Sequence, residues 1–236
     1  MPPADPETAL NHSIVILHGI GTPKRGLEPG EVVFWLSRER FCQTLDRIAE
    51  MGPTAPQITF DDGNASDIEI ALPELQARGL KATFFLLAGR LGQLGSLSEA
   101  DVTTLARAGH RIGLHGADHV DWRRLDAAGR ACEFGAAREK LQALSGQPVD
   151  EAAAPFGFYD RQVVQDLRDA GFAALYTSDR GRAGSADFIR PRNCLEGAMS
   201  DAALEDMLCG RVRPVRALRR ALGVARRRLL PLRLRA

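Results

Sequence analysis

The 236-residue chain has few of the features that mark disulfide-rich, membrane-spanning and exported proteins. Its four cysteines are widely spaced and form no Cys-x-x-Cys pair, which argues against a structural zinc site and a disulfide framework. No hydrophobic run approaches the length of a transmembrane helix, and residues 1–11 lack the apolar stretch of a signal peptide. These absences predict a cytoplasmic protein whose thiols are mostly buried.

Acidic residues are missing from the C-terminal segment. Residues 211–236 hold ten arginines and no acid, so the net charge of +1 hides an acidic body and a basic tail. Arginines interleave there with leucine, valine and alanine, which predicts a basic amphipathic helix at the inner, anionic face of a membrane. A solvated or disordered tail is the alternative. No nucleic-acid motif accompanies the charge, and no nucleic-acid partner is expected.

Short apolar runs alternate with amphipathic segments along the rest of the chain. The runs at residues 14–17, 58–60 and 82–87 lack polar alternation, which is typical of parallel strands buried on both faces. Such strands in alternation with helices predict an α/β protein, either a barrel or a doubly wound sheet. Polar residues follow the ends of several runs, and in an α/β barrel that rim holds the active site.

Two pairs of residues are candidates for chemistry. Asp61 and Asp62 follow the run at 58–60, and both reach one pocket only where the backbone turns. Carboxylates that close need a cation or a shared proton. His115 and His119 are four residues apart, so on a helical turn both imidazoles would lie on one face and bind one ion. A surface histidine pair, or one histidine satisfied in the core, is the alternative.

The two pairs together resemble the motifs of the polysaccharide deacetylases, also called the NodB-homology group or carbohydrate esterase family four. The sequence TFDDG at residues 59–63 matches the family's first motif at every position. His115 and His119 match the second motif, whereas Gly116 stands where the family has serine or threonine. The resemblance extends over roughly residues 13 to 195.

The resemblance implies a fold and a domain plan. The expected fold is α/β, a deformed, TIM-like barrel of seven or eight β/α units in a single domain. That domain is expected to span residues 13–210, between an N-terminal extension (1–12) and the basic tail (211–236).

The resemblance also implies the roles of site residues. Asp62, His115 and His119 would bind a divalent metal, with zinc as the expected ion. Asp61 would be the general base that takes a proton from the metal-bound water. Residues of the third motif would line the groove, and one backbone N–H among them would hold the oxyanion. These substrate-binding candidates are Pro155, Phe156 (the N–H donor), Gly157 and the nearby Tyr159.

Two departures from the family pattern concern the other side of the pocket. The arginine that often opens the third motif is replaced by alanine, and Arg192 is the candidate to supply its charge; a surface arginine is the alternative. No histidine follows His119 to act as general acid. Residues 16–19 resemble the family's last motif moved to the front, as in poly-N-acetylglucosamine de-N-acetylases. His18 is therefore the candidate acid, and a buried structural histidine is the alternative.

The expected function is metal-dependent removal of acetyl groups. The expected substrate is an N-acetylated amino sugar in a polysaccharide or glycan precursor. A catalytically impaired carbohydrate-binding pseudoenzyme remains an alternative because of the two departures. A deacetylase of O-acetyl esters or of small molecules is the other.

Overall fold

The computed structural model describes residues 11–212 and 223–224. The N-terminal extension and the basic tail lie almost wholly outside these ranges, so the predicted amphipathic helix and its membrane contact remain predictions. Within the described ranges, no helix is both long enough and apolar enough to cross a membrane.

Short strands that are buried on both faces form the centre of the molecule. In the described part of the chain they are β1 (His12–Leu17), β2 (Gln57–Asp62), β3 (Ala82–Leu86), β4 (Arg111–Leu114), β5 (Glu151–Ala153), β6 (Ala174–Thr177), β7 (Arg182–Ala183), β8 (Ile189–Pro191) and β9 (Asn193–Cys194). Strands β1 to β6 and then β8 pair in parallel in that order, and β9 returns to pair in parallel with β1. The sheet thus closes on itself, which confirms the predicted deformed α/β barrel.

Helices surround the barrel, and most of them begin at a serine or aspartate whose side chain accepts a hydrogen bond from a backbone N–H. The α-helices of the described residues are α1 (Arg38–Glu50), α2 (Leu72–Ala77), α3 (Glu99–Arg107), α4 (Ala127–Arg130), α5 (Ala137–Ser145), α6 (Arg161–Asp169) and α7 (Asp201–Leu208). Two π-helical segments precede α2 and α5, namely Asp67–Ala71 and Ala131–Ala136.

The barrel closes at a strand that is broken in the middle. Strand β8 pairs with β6 and β9 pairs with β1, and Arg192 lies between the two halves. The Arg192 N–H donates to the Thr177 carbonyl, and the Arg192 carbonyl accepts from the Arg180 N–H. Apolar runs at residues 173–176 and 188–189 predict strands near β6 and β8. The sequence does not reveal β7 and β9, because strands of two residues leave no periodicity to detect.

Aromatic rings fill the lower interior of the barrel. Phe85 and Tyr176 pack there with ring centroids 4.8 Å apart, in a small cluster with Ile14, Ala153 and Ala174. The barrel is therefore a packed core and not a pore, as in other α/β barrels. The functional site must lie above this layer, at the ends of the strands.

His110 gives the fold a measurable pH dependence. Its Nδ1 accepts the Ala82 N–H at 3.2 Å, and burial, assisted by the nearby Lys81 charge, lowers the pKa of His110 from 6.5 to about 4. The unfolded state therefore binds the proton first, so this stability is complete above pH 6.5 and is lost as the pH falls toward 4. We expect the titration of His110 to lower the free energy of unfolding by about 1–2 kcal/mol between pH 7 and pH 5.

Urea unfolding at the two pH values measures this loss. His110→Gln keeps a hydrogen-bond acceptor without a titrating group, so its loss should be smaller than that of the unmodified protein. Equal losses in both proteins would contradict the assignment.

Candidate active site

The carboxyl ends of the parallel strands bring the candidate residues to one rim of the barrel. His18 follows β1, Asp61 and Asp62 end β2, His115 follows β4, and Arg192 separates β8 from β9. They line a single cavity of about 340 Å³. The loop that joins β1 to α1 forms one side of this cavity, and other lining residues are Glu28, Phe34, His119, Phe156, Gly157 and Cys194.

The end of β2 explains how two neighbouring carboxylates reach one pocket. Asp62 and Gly63 both adopt left-handed backbone conformations, with φ of 78° and 72°. Such a conformation is strained for a residue with a side chain, and strain of this kind concentrates at functional sites. The left-handed backbone turns Asp62 toward the side of the sheet on which Asp61 lies, whereas in a regular strand the two side chains would point to opposite sides.

Asp62 and the two histidines converge on one point. The buried Asp62 Oδ1 has no hydrogen-bond partner among the described residues. His115 Nε2 lies 3.5 Å from this oxygen and His119 Nε2 lies 3.7 Å from it. A buried carboxylate oxygen without a partner is costly, and two imidazole nitrogens with one carboxylate oxygen are a donor set that suits a divalent metal. The three residues therefore form a possible metal site.

The segment at residues 115–119 is an irregular loop, so the predicted helical turn is wrong. Gly116 and His119 have φ of 96° and 56°, which no helix contains. The His115 Nδ1 lies 2.8 Å from the Ala153 carbonyl; it must donate to this oxygen, which leaves Nε2 free to accept. Burial lowers the pKa of His115 to about 4, so the ring is neutral at pH 7.

A buried carboxylate holds this loop in place. Glu133 accepts hydrogen bonds from the Ala117 N–H at 3.0 Å, the Asp118 N–H at 3.2 Å and the Trp122 indole N–H at 3.1 Å. The acceptor lies 16 residues beyond Ala117, so no local pattern reveals it. A Cβ at Gly116 would overlap the same carboxylate, which explains why the serine or threonine of the family motif is absent.

Restoration of the family motif by Gly116→Ser should damage the site. The positive φ and the overlap with Glu133 both oppose a side chain, and we expect a loss of about 2–3 kcal/mol of unfolding free energy and weaker metal binding. Gly135→Ser is the matched control, since a Cβ there meets nothing within 4 Å. Denaturant unfolding measures both variants, and equal stability of the two would refute this account of the loop.

Arg192 forms a buried ion pair with Asp61. Its two terminal nitrogens each lie 2.7 Å from one oxygen of the Asp61 carboxylate, and one of them also lies 3.1 Å from the Thr59 hydroxyl. Burial alone would raise the pKa of Asp61, but the Arg192 guanidinium, assisted by His115, outweighs it and lowers this pKa to about 2. Asp61 is thus ionised at neutral pH. The positive charge that stabilises it comes from Arg192, between β8 and β9, and not from an arginine of the third motif.

His18 lies on the wall of the same cavity. Its ring stacks on Phe34 with centroids 5.0 Å apart, and its Nδ1 lies 3.9 Å from the Cys194 thiol. Burial and the charge of Asp61 raise the pKa of Cys194, so the thiol stays protonated. The location agrees with the predicted general acid, but the role itself remains a prediction.

The third-motif residues divide between the cavity and the core. Phe156 is half exposed, has φ of 57°, and packs on His119 with centroids 4.2 Å apart. Gly157 also lines the cavity, whereas Pro155 is buried and begins a 3₁₀ turn. Tyr159 is fully buried and its hydroxyl donates to Asp179 at 2.6 Å, so the prediction that it binds substrate is wrong.

One other expectation also needs correction. The cysteines are not mostly buried, since Cys132 is exposed and the other three are partly exposed. A further residue of the site is Glu28, whose carboxylate contacts His119. Nothing in the local sequence around residue 28 marks that contact.

Comparison with known proteins decides the family. The sequence model of the polysaccharide deacetylase family matches residues 50–175, more than half of the chain. The chain belongs to the polysaccharide deacetylase family. The matched segment includes both motif pairs, so the resemblance inferred from them is confirmed.

Individual relatives of this deacetylase cover different parts of it. Bacillus subtilis YxkH, which is named as a polysaccharide deacetylase, is 24% identical over 189 residues, or 77% of this chain and 67% of that protein. A Pestalotiopsis chitin deacetylase is 34% identical over 123 residues, or 52% of this chain and 41% of that protein. This chain therefore spans about two thirds of the first relative and less than half of the second.

A solved structure shares the fold. Streptococcus pyogenes deacetylase PplD, determined with acetate, superposes with a TM-score of 0.73 at 19% sequence identity. The match covers 85% of this chain and 99% of that structure. At this level of identity the likeness concerns the barrel fold alone.

Proposed function

We propose that this chain is a metal-dependent hydrolase that removes the N-acetyl group from an amino sugar in a polysaccharide or glycan precursor. The observation that carries the proposal is the convergence of His115 and His119 on the unpartnered Asp62 oxygen, directly beside the ionised Asp61. The likeness to a chitin deacetylase over half of the chain supports an N-acetylated polymer as the substrate.

Zinc is the proposed metal, because two imidazoles and one carboxylate are a ligand set that suits a catalytic zinc ion. When bound, such an ion lowers the pKa of water and polarises a carbonyl group. Asp62, His115 and His119 would hold it.

Asp61 would accept the proton of the attacking water on a carboxylate oxygen. Its low pKa keeps the carboxylate ionised, and so able to accept a proton, at neutral pH. Arg192 bonds to both Asp61 oxygens and so fixes the direction of the carboxylate as well as its charge. A base held in place this way favours proton transfer because no reorientation is needed.

The opposite side of the cavity would handle the oxyanion and the leaving group. The Phe156 N–H would donate to the oxygen that becomes negative when the acetyl carbon turns tetrahedral. His18 would give a proton to the amine nitrogen as the C–N bond breaks. The presence of Arg192 and His18 around the same cavity supports an active enzyme over an impaired carbohydrate-binding protein.

Acetate release over a substrate panel tests the proposal. The panel contains oligomers of N-acetylglucosamine, the monomer, and O-acetylated xylan, each with and without a metal chelator. We expect release from the N-acetylated oligomers that the chelator abolishes. Release from O-acetyl esters alone, or release that survives the chelator, would overturn the proposal.

His18→Gln separates the acid role from a structural one. An amine needs a proton in order to leave, so we expect about a 100-fold or greater loss of rate on N-acetylated oligomers. An aryl acetate leaves as a stabilised phenolate, so its hydrolysis should fall much less. Equal losses on both substrates would show that His18 shapes the pocket and does not donate the proton.

A further inference from the structure

The loop that joins β1 to α1 places a carboxylate on one of the metal-site histidines. Both oxygens of Glu28 lie 3.1 Å from His119 Nδ1. The Arg90 guanidinium forms an ion pair with the same carboxylate. His119 is thus contacted on both sides of its ring, since its Nε2 faces Asp62.

Among the described residues, His119 has no backbone hydrogen-bond partner of the kind that His115 has. His115 is held by the Ala153 carbonyl, which belongs to a barrel strand. His119 lies instead in the irregular loop, with a left-handed backbone and an aromatic contact to the half-exposed Phe156. A hydrogen bond to Nδ1 is therefore the contact that decides which nitrogen of His119 carries the hydrogen and which way the ring faces.

Glu28 is itself fixed by its neighbours. Its backbone N–H donates to the Glu31 carboxylate at 2.8 Å, and Glu31 forms an ion pair with Arg25 at 2.5 Å. Arg25 in turn donates to the Asn64 side chain at 3.0 Å, just beyond the end of β2. The chain of contacts ties the loop to the strand that carries Asp62, so Glu28 and the metal site are parts of one connected framework.

We propose that Glu28 is a positioning residue that holds His119 with its Nδ1 protonated and its Nε2 directed at the metal, and that Arg90 keeps Glu28 in place. The inference rests on the metal site of the proposed function. Carboxylates that accept from a metal-binding histidine orient the ring and raise its basicity. Here the carboxylate comes from a loop outside the motifs, more than 90 residues before the histidine.

Zinc affinity of the folded protein tests the proposal without an activity measurement. Competition with a chromophoric chelator should show binding about 10- to 100-fold weaker in Glu28→Ala, the usual effect of such a loss. Glu28→Gln should recover part of the affinity, because its amide oxygen still accepts the Nδ1 hydrogen. Glu69→Gln is the matched control, since it breaks the exposed ion pair between Lys24 of the same loop and Glu69 of the π-helical segment Asp67–Ala71, and it should bind zinc normally.

The tautomer of His119 provides a second readout. It reports on the hydrogen bond to Nδ1 and not on the stability of the whole protein. In the metal-free protein, ¹⁵N spectra of His119 should show the hydrogen on Nδ1, and Glu28→Ala should convert this to a mixture of both tautomers. Wild-type affinity and an unchanged tautomer in Glu28→Ala would overturn the positioning role.

The zinc titration distinguishes a wrong metal site from a wrong role for Glu28. If the wild type binds zinc no better than His115→Ala, the proposed metal site is wrong and the role of Glu28 falls with it. If the wild type binds zinc and Glu28→Ala binds equally well, only the role of Glu28 is wrong.

Discussion

Replacement of Asp61 by asparagine is expected to lower the rate of acetate release by about 10²- to 10⁴-fold, which is the range that a positioned base contributes. The amide oxygen still accepts a hydrogen bond from Arg192, but it cannot take the proton of the attacking water. Zinc affinity should stay within a few fold, because Asp62, His115 and His119 are unchanged. Steady-state rates and zinc titration measure the two effects separately.

A second buried carboxyl supplies the matched control. Asp67 is fully buried, and burial, with the charge of Asp62, raises the pKa of Asp67 well above its ordinary value. The neutral form of Asp67 is thus favoured, and asparagine is close to that form in shape and charge. Asp67→Asn should keep the wild-type rate, and an Asp61→Asn enzyme that retains its rate within tenfold would rule out the base.

Replacement of Arg192 by methionine is expected to have the largest effect on the fold. Removal of one partner from a buried ion pair leaves an uncompensated charge and costs about 3–5 kcal/mol. The pKa of Asp61 must then rise, because burial is no longer opposed by the guanidinium. Asp61 would become protonated as the pH falls through this higher pKa, so the acid limb of the rate profile should move to higher pH.

Denaturant unfolding and pH–rate profiles measure both consequences. Arg180→Met is the control, because Arg180 forms a partly exposed pair with Glu196 at 3.6 Å, and such pairs contribute about 0–1 kcal/mol. The double variant Asp61→Asn with Arg192→Met should lose less stability than the sum of the single changes. Equal stability of the Arg192 and Arg180 variants, with unshifted profiles, would contradict the role of the pair.

Features that depend on adjacent residues could be predicted from the sequence. The TFDDG motif and the histidine spacing indicate the family, and the apolar runs indicate the barrel, because each pattern lies within a few consecutive residues. The candidate for the missing arginine, Arg192, could also be named because strand ends meet on one rim. Its contact with Asp61, across 131 residues, needed the closed barrel.

Features that depend on distant contacts could not be predicted. The His115–His119 segment looks helical by spacing, but Glu133 imposes a different backbone through hydrogen bonds from Ala117 and Asp118. Glu28 gives no local pattern either, since its effect appears only where the loop meets His119. The burial of Tyr159 is not predictable either, because proximity in sequence to a motif does not tell which side of the strand end a ring faces.

Reconstitution of the metal-free protein with zinc tests the central claim most directly. Acetate release from an N-acetylglucosamine oligomer is followed while zinc is added to the chelator-treated wild type and to His115→Ala. The account predicts no release at the start, a rise that saturates near one zinc per chain in the wild type, and no recovery in His115→Ala. Full release before zinc is added, or equal recovery in the variant, would contradict it.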